Sequence, residues 1–405
     1  MIALSDYAGI APKGDLLLIH KLAEKLQGRK FLHINSTKSG GGVAEILQQM
    51  IPLLVDIGIN AVWDVIEGDS DFFNMTKKVH NSMQGMRDPI TEAAWEHHYE
   101  INMANADKLD LDADCVLIHD PQPVALIERR TDNCWMWRCH IDISRPQPDT
   151  WNKLRPYVEK YDMAVFSVSK FAQSIQPDKF LIPPSIDPLS EKNRNLEQEE
   201  IDEVLENYKI PKDKPILLQI SRFDRFKDPI GVIQAYRLVK KYNDCRLILA
   251  GGAATDDPEG EMVLQEVMEY AANDPDIHIL LLPPFSDKAV NALQRAADII
   301  FQKSLKEGFG LTVTEAMWKE KPVIGGNVGG IPIQIVHGAT GFLVNSVEGA
   351  AFRTKQFLNN PAMIKRMGER GREHVRMNFL ITRQIRDYLS AWFFLENGRR
   401  NTIEL

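Results

Sequence analysis

A chain of 405 residues is long enough for two domains with complete cores, because single cores stop growing beyond about 250–300 residues. Its apolar content of 44%, charged content of 26% and net charge of -8 are ordinary for a soluble globular protein, and they argue against nucleic acid as the main partner. No apolar run approaches the ~20 residues of a bilayer span, the start Met1-Ile-Ala-Leu-Ser-Asp6 has neither the basic nor the apolar stretch of a leader, and Cys115, Cys134, Cys139 and Cys245 are too scattered for a disulfide framework, so a cytoplasmic location is expected.

In chain order, short apolar runs are expected as strands at 30–34, 61–66, 115–119, 164–168, 180–182, 216–220, 246–250, 277–282, 299–302 and 322–325. Most are apolar throughout, which fits strands buried on both faces of a parallel sheet. The segments between them, such as 43–57, 229–242, 261–273 and 286–297, carry helical spacing. Strand–helix alternation over this length predicts a doubly wound α/β fold in two units. Pro183-Pro-Ser-Ile-Asp-Pro-Leu-Ser190 ends the first, and the charged stretch 191–206 after it is expected to bury little. A new strand begins after Pro211-Lys-Asp-Lys-Pro215, and 382–395 reads as a helix with an apolar face broad enough to demand a docking surface.

Several segments carry chemistry. Gly40-Gly-Gly42 opens the helix expected from Val43; it is either a phosphate or substrate loop or a flexible linker, and it matches neither the P-loop nor the dinucleotide pattern. Asp69-Ser-Asp71 resembles a metal-binding D-x-D, yet it follows no strand cleanly and reads better as a loop. His119-Asp120 closes one strand and His140 follows Trp135-Met-Trp-Arg-Cys139; both fall where a strand's carboxyl end meets ligand, although a lone histidine is more often structural. Cys134 and Cys139 lack the paired spacing of a zinc site beside His140, so no metal is expected.

Arg222 and Lys227 follow the run 216–220, suited to phosphate oxygens, with a salt-bridged loop among Asp224, Arg225 and Asp228 as the plainer alternative. Glu307-Gly-Phe-Gly-Leu-Thr-Val-Thr-Glu315 places two carboxylates around a glycine turn ahead of a helix expected near Thr312, whose amides form an anion site. Glu315 is either a ligand carboxylate or the partner of Thr312 in a capping box. Along a helix the pair would stand ~12 Å apart, too far for an acid–nucleophile pair at ~5–9.5 Å. Gly329-Gly-Ile-Pro332 is another loop fit for close backbone approach.

This ordered set, Arg222 to Lys227, Glu307 to Glu315, Pro322, Gly329-Gly330 and Gly338-Ala-Thr-Gly-Phe-Leu-Val344, resembles the C-terminal half of retaining GT-B glycosyltransferases of family 4. His119-Asp-Pro-Gln122, Trp137-Arg-Cys-His-Ile-Asp142 and Gly329-Gly-Ile-Pro-Ile-Gln334 draw the resemblance toward its trehalose-forming branch, with trehalose phosphorylases as kin. The resemblance implies two Rossmann-like domains facing a cleft, an acceptor domain at 1–190 with 378–405 crossing back to it, and a donor domain at 211–377. It implies reversible transfer of glucose from UDP-, ADP- or GDP-glucose to glucose, a homodimer, and no required cofactor, with magnesium at most a stimulant. Arg222 and Lys227 would neutralise the diphosphate, Glu307 would hold sugar hydroxyls, Glu315 the ribose, and amides of Phe309, Gly310 and Leu311 sugar or phosphate oxygens. His140 would contact the transferred glucose, Gly41 and Gly42 the phosphate or acceptor, and His119 and Asp120 the acceptor sugar. A phosphorylase using inorganic phosphate and a sugar-nucleotide epimerase on the same scaffold are the alternative activities.

Overall fold

The computed structural model describes residues 2–39, 41–252 and 258–399, so Gly40 of the glycine loop lies outside the described residues. The chain divides into two compact units: one contains the residues up to Ser185 together with the segment from Leu380, the other is Ile186–Phe379.

The first unit is built on strands β1 (Lys30–Asn35), β2 (Asn60–Val65), β3 (Cys115–His119), β4 (Cys134–Cys139), β5 (Met163–Phe166) and β6 (Asp178–Leu181). They form one parallel sheet in the order β2-β1-β3-β4-β5-β6. Its helices are α1 (Lys13–Leu26), α2 (Gly41–Asp56), α3 (Ser70–Met83), α4 (Glu92–Ala106) and α5 (Pro148–Val158). Alternation along the strands sends Leu32, Ile34, Val116, Ile118, Trp135 and Trp137 into one core with Phe72, Met75 and Val79 of α3 and Leu154 of α5. Asp69, in the triplet that resembled a metal motif, is the N-cap of α3, its carboxylate accepting Phe72 N at 2.8 Å. α2 starts at Gly41, two residues before the expected Val43, with Gly41 in a left-handed conformation at φ 79°.

The second unit carries β7 (Ile216–Ile220), β8 (Arg246–Gly252), β9 (Ile277–Leu282), β10 (Ile299–Gln302), β11 (Val323–Gly326) and β12 (Gly341–Val344), again all parallel, in the order β12-β11-β10-β7-β8-β9. Its helices are α6 (Gln198–Asn207), α7 (Pro229–Lys240), α8 (Pro258–Ala271), α9 (Asp287–Ala296), α10 (Leu311–Trp318), α11 (Ile331–Gln334), α12 (Val347–Leu358) and α13 (Pro361–Asn378). The charged stretch expected to bury little instead contains α6, packed on α9. Ile201, Val204 and Leu205, spaced i, i+3, i+4, are buried there while the acidic residues face outward.

The last helix, α14 (Ile381–Glu396), belongs to the first unit and packs on α1 and α2. Trp392 meets Phe31 at 5.0 Å between ring centroids, Arg386 pairs with Asp15 at 2.5 Å, and Arg383 donates to the carbonyls of Pro183 and Pro184 at 2.6 and 3.1 Å. The broad apolar face read in the sequence is thus docked, and the helix is anchored where the first unit's main segment ends. No helix among the described residues is long and apolar enough to cross a membrane.

Candidate functional site

The second sheet reverses its strand order between β7 and β10, the place where open α/β sheets leave a crevice beyond their carboxyl ends. The loops leaving these two strands are bonded to each other: Leu305 N donates to Phe226 O at 2.7 Å, and Lys227 Nζ lies 2.6 Å from Glu307 Oε2. That oxygen also accepts Gln302 Nε2 and Ser304 Oγ, each at 3.0 Å, while Oε1 has no bonded donor among the described residues. The pair is largely enclosed, with side-chain exposures of 17% for Lys227 and 9% for Glu307. Gln219 Nε2 fixes the Lys227 carbonyl at 2.7 Å, and Asp228, left-handed at φ 53°, caps α7 through Gly231 N and pairs with Lys303. Arg222 stands apart, 68% exposed, its nearest ion-pair partner Asp224 at 3.6 Å. The sequence treated the two cations alike; burial separates them. Arg225 spends its guanidinium on Glu266 at 2.7 and 3.1 Å.

The turn after Glu307 is shaped by glycine. Gly310, at φ 84°, is the N-cap of α10, so the helix starts at Leu311 and heads its amides toward the turn. A Cβ on Gly329 would lie 1.6 Å from the Glu307 carbonyl, so the loop after β11 packs backbone to backbone on this turn. Gln334, fully buried, ties the parts together: its Nε2 donates to Phe309 O at 2.6 Å and its Oε1 accepts Thr314 Oγ1 at 2.5 Å.

Glu315 does not belong to a capping box. The N-cap is Gly310, and the Thr312 hydroxyl donates to Ile220 O at 3.3 Å. The Glu315 carboxylate instead points into the unit, 4% exposed, with Oε2 accepting Gln294 Nε2 at 3.1 Å. Gln294 Oε1 in turn accepts buried Lys319 at 2.7 Å. Gln294, Gln302 and Lys319 escaped the sequence reading because an isolated amide or lysine carries no local pattern; only the fold brings Gln302 to Glu307, and Gln294 with Lys319 behind it to Glu315.

In the first unit the carboxyl ends of β3 and β4 carry Asp120 and His140. Asp120 is left-handed at φ 65°, an uncommon state for a non-glycine residue, and three bonds hold it there. Its N–H donates to Arg138 O at 2.7 Å, its carbonyl accepts Trp137 Nε1 at 3.0 Å, and Oδ1 accepts His140 N at 2.7 Å. Burial pushes the Asp120 carboxyl up to about 7, against the opposing pull of the His140 amide and Arg138. His140 is partly exposed, and burial holds its imidazole well below the ordinary range. His119, expected at the acceptor sugar, has a ring 2% exposed with both nitrogens engaged, Nε2 by His33 at 3.2 Å and Nδ1 by His140 at 3.0 Å. Gly41 and Gly42 open α2 beyond β1.

Two doubly wound parallel sheets, a last helix returned to the first unit, and a cation–carboxylate pair at the second sheet's reversal define a GT-B glycosyltransferase. The sucrose-phosphate synthase of Thermosynechococcus elongatus shares this fold with a TM-score of 0.71, over 91% of this chain and 100% of that one, at 16% identity. The family described as "Trehalose synthase, N-terminal domain" matches residues 33–173, and "Glycosyl transferases group 1" matches 200–374. A trehalose synthase of Pyrococcus horikoshii is 48% identical over 95% of each chain, and one of Rubrobacter xylanophilus 41% identical over 96% of this chain and 95% of its own. The chain belongs to the trehalose synthase family, and it is an enzyme of trehalose-related glycosyl transfer.

Proposed function

We propose that the protein transfers glucose from a nucleoside diphosphate glucose to free glucose, keeping the α configuration and forming trehalose reversibly. The observation that carries this reading is the Lys227–Glu307 pair at the reversal of the second sheet, with one oxygen of Glu307 free of donors among the described residues. Lys227 and the exposed Arg222 supply positive charge to the departing diphosphate, where charge grows as the glycosidic bond breaks. Glu307 Oε1 accepts from sugar hydroxyls, Glu315 takes the ribose hydroxyls, and the amides of Phe309, Gly310 and Leu311 meet sugar or phosphate oxygens. In the first unit, His140 and Asp120 meet sugar hydroxyls, and Gly41 and Gly42 leave room for phosphate or acceptor. The acceptor's anomeric hydroxyl attacks the anomeric carbon from the face the phosphate leaves, and its proton passes to the leaving phosphate oxygen.

The deciding experiment incubates the protein with glucose and, separately, UDP-, ADP- and GDP-glucose, and assays for a non-reducing disaccharide and free diphosphate. Trehalose appearing with one or more donors supports the reading and identifies the base. Trehalose cleavage that requires phosphate and no nucleotide assigns a phosphorylase, and donor consumed without acceptor assigns an epimerase. No cofactor takes part in this reading, so chelation with EDTA leaves turnover standing and magnesium at most stimulates it. Light scattering tests the homodimer.

A further inference from the structure

Three imidazoles climb the first sheet toward its carboxyl edge. His33 of β1 is in register with Leu117 of β3, so His119 lies two residues beyond it; His119 is in register with Arg138 of β4, so His140 lies two residues beyond that. Period-two alternation puts all three on one sheet face, the face that α14 covers at Tyr388. The rings are nearly parallel, 5.5 and 5.3 Å between centroids with interplanar angles of 22° and 18°. Nitrogens meet head to tail, His33 Nδ1 to His119 Nε2 at 3.2 Å and His119 Nδ1 to His140 Nε2 at 3.0 Å.

We propose that His33 and His119 are positioning residues that fix His140 in the tautomer protonated at Nδ1, presenting this N–H beside the Asp120 carboxyl to a sugar hydroxyl. The inference rests on the reading above that this edge meets sugar hydroxyls.

A neutral imidazole has one N–H, and burial favours that form in all three. Burial pushes His33 down to about 3 and holds His119 and His140 well below the ordinary range, with the buried Arg138 guanidinium acting in the same sense on both. Two proton arrangements then keep both bonds. In the first, each ring donates from Nδ1 toward the edge, and the His140 Nδ1–H is left over. In the second, each ring donates from Nε2 inward, and the surplus N–H sits on His33 Nε2, which is buried with no partner among the described residues. A buried orphan donor is rarer than a buried orphan acceptor. That selects the first arrangement. The edge then offers a fixed donor, His140 Nδ1–H, next to Asp120, whose Oδ1 already holds the His140 amide at 2.7 Å. A donor beside an acceptor suits a pair of neighbouring sugar hydroxyls, each able to give and to receive.

The test uses the full-length protein labelled with 15N at histidine. Long-range 1H–15N spectra of the ligand-free protein should show His140 protonated at Nδ1. His119→Phe removes the donor to His140 Nε2 and should release the tautomer, with kcat/KM for glucose plus whichever of UDP-, ADP- or GDP-glucose the parent protein uses about tenfold lower, the worth of one hydrogen bond. His119→Asn keeps an N–H at the Nδ1 position and should recover both the tautomer and most of the rate. Should His119→Phe not fold, His33→Phe provides the same spectral readout from the inner end. A His140 protonated at Nε2 in the parent protein, or unaltered by His119→Phe, overturns the proposal. Full activity in His140→Ala overturns it from the other side, by removing the sugar-facing role while the spectra stand as found.

Discussion

The carboxyl edges of the two sheets handle charge in opposite ways. In the second unit charge is kept and paired: Lys227 with Glu307, Lys303 with Asp228, Arg225 with Glu266. In the first unit the carboxyl and imidazoles are pushed toward their neutral forms around the buried Arg138 guanidinium, burial lowering three histidines and raising Asp120 to about 7. Paired charges can be re-partnered by an incoming phosphate at little cost, whereas hydrogen-bonded imidazoles beside a carboxyl suit an uncharged polyol. One fold, used twice, thus prepares two chemically different surfaces by what it buries beside them.

The largest effect that could break this comparison is at Glu307. Glu307→Ala deletes the acceptor of three donors and leaves Lys227 enclosed without its partner, so kcat should fall by about 10²–10³ while calorimetry still detects nucleotide binding. Unchanged turnover would remove Glu307 from the site. Next come the two cations, which burial sets apart. Lys227→Met should lower kcat about a hundredfold and Arg222→Ala less than about tenfold, because an exposed charge is screened by solvent. Full activity in both would overturn the diphosphate assignment, and equal losses would erase the distinction between them.

Gly329→Ala probes the packing under the paired edge. The added methyl meets the Glu307 carbonyl and a left-handed backbone at φ 55°, so the second unit should lose about 2–4 kcal/mol, read as a lower urea midpoint. A pH-dependent effect belongs to the first unit's edge. The Asp120 pKa rises from 3.8 unfolded to about 7 folded, so from about pH 4 to about pH 7 the unfolded chain sheds a proton that the fold keeps, and stability falls as pH rises through that window. Asp120→Asn abolishes this slope: its melting temperature relative to the parent should climb between those pH values and level off above. A flat difference would mean that Asp120 is ionised throughout.

Much of this was readable in the linear sequence where the signal is local. β3, β7 and β10 coincide with apolar runs because strands buried on both faces need no alternation to be recognised. Spacing around strand ends and a glycine turn singles out Arg222, Lys227, Glu307 and Glu315 as candidates, and the fold pairs Lys227 with Glu307. What stayed hidden is long-range. His33 sits in an apolar run with nothing to mark it, and only the register of β1 on β3 brings it to His119. Gln294 reaches Glu315 across two helices. The helix at Gln198–Asn207 was obscured by its own charge, since three apolar residues among acids look like a solvated connection until α9 is beside them.

The return of α14 to the first unit makes the second unit an insertion within the first. Its two ends are joined by a hydrogen bond, Ile186 N to Phe379 O at 2.9 Å, and on the far side of the junction Ser185 contacts Gln384. Once the insert has folded, the two pieces of the first unit are separated by a bonded junction instead of a long free loop, and the entropy of bringing α14 home shrinks accordingly. During synthesis the helix that covers Phe31 and His33 leaves the ribosome after the entire second unit. The histidine face of the first unit therefore stays uncovered until the whole of its neighbour has been made.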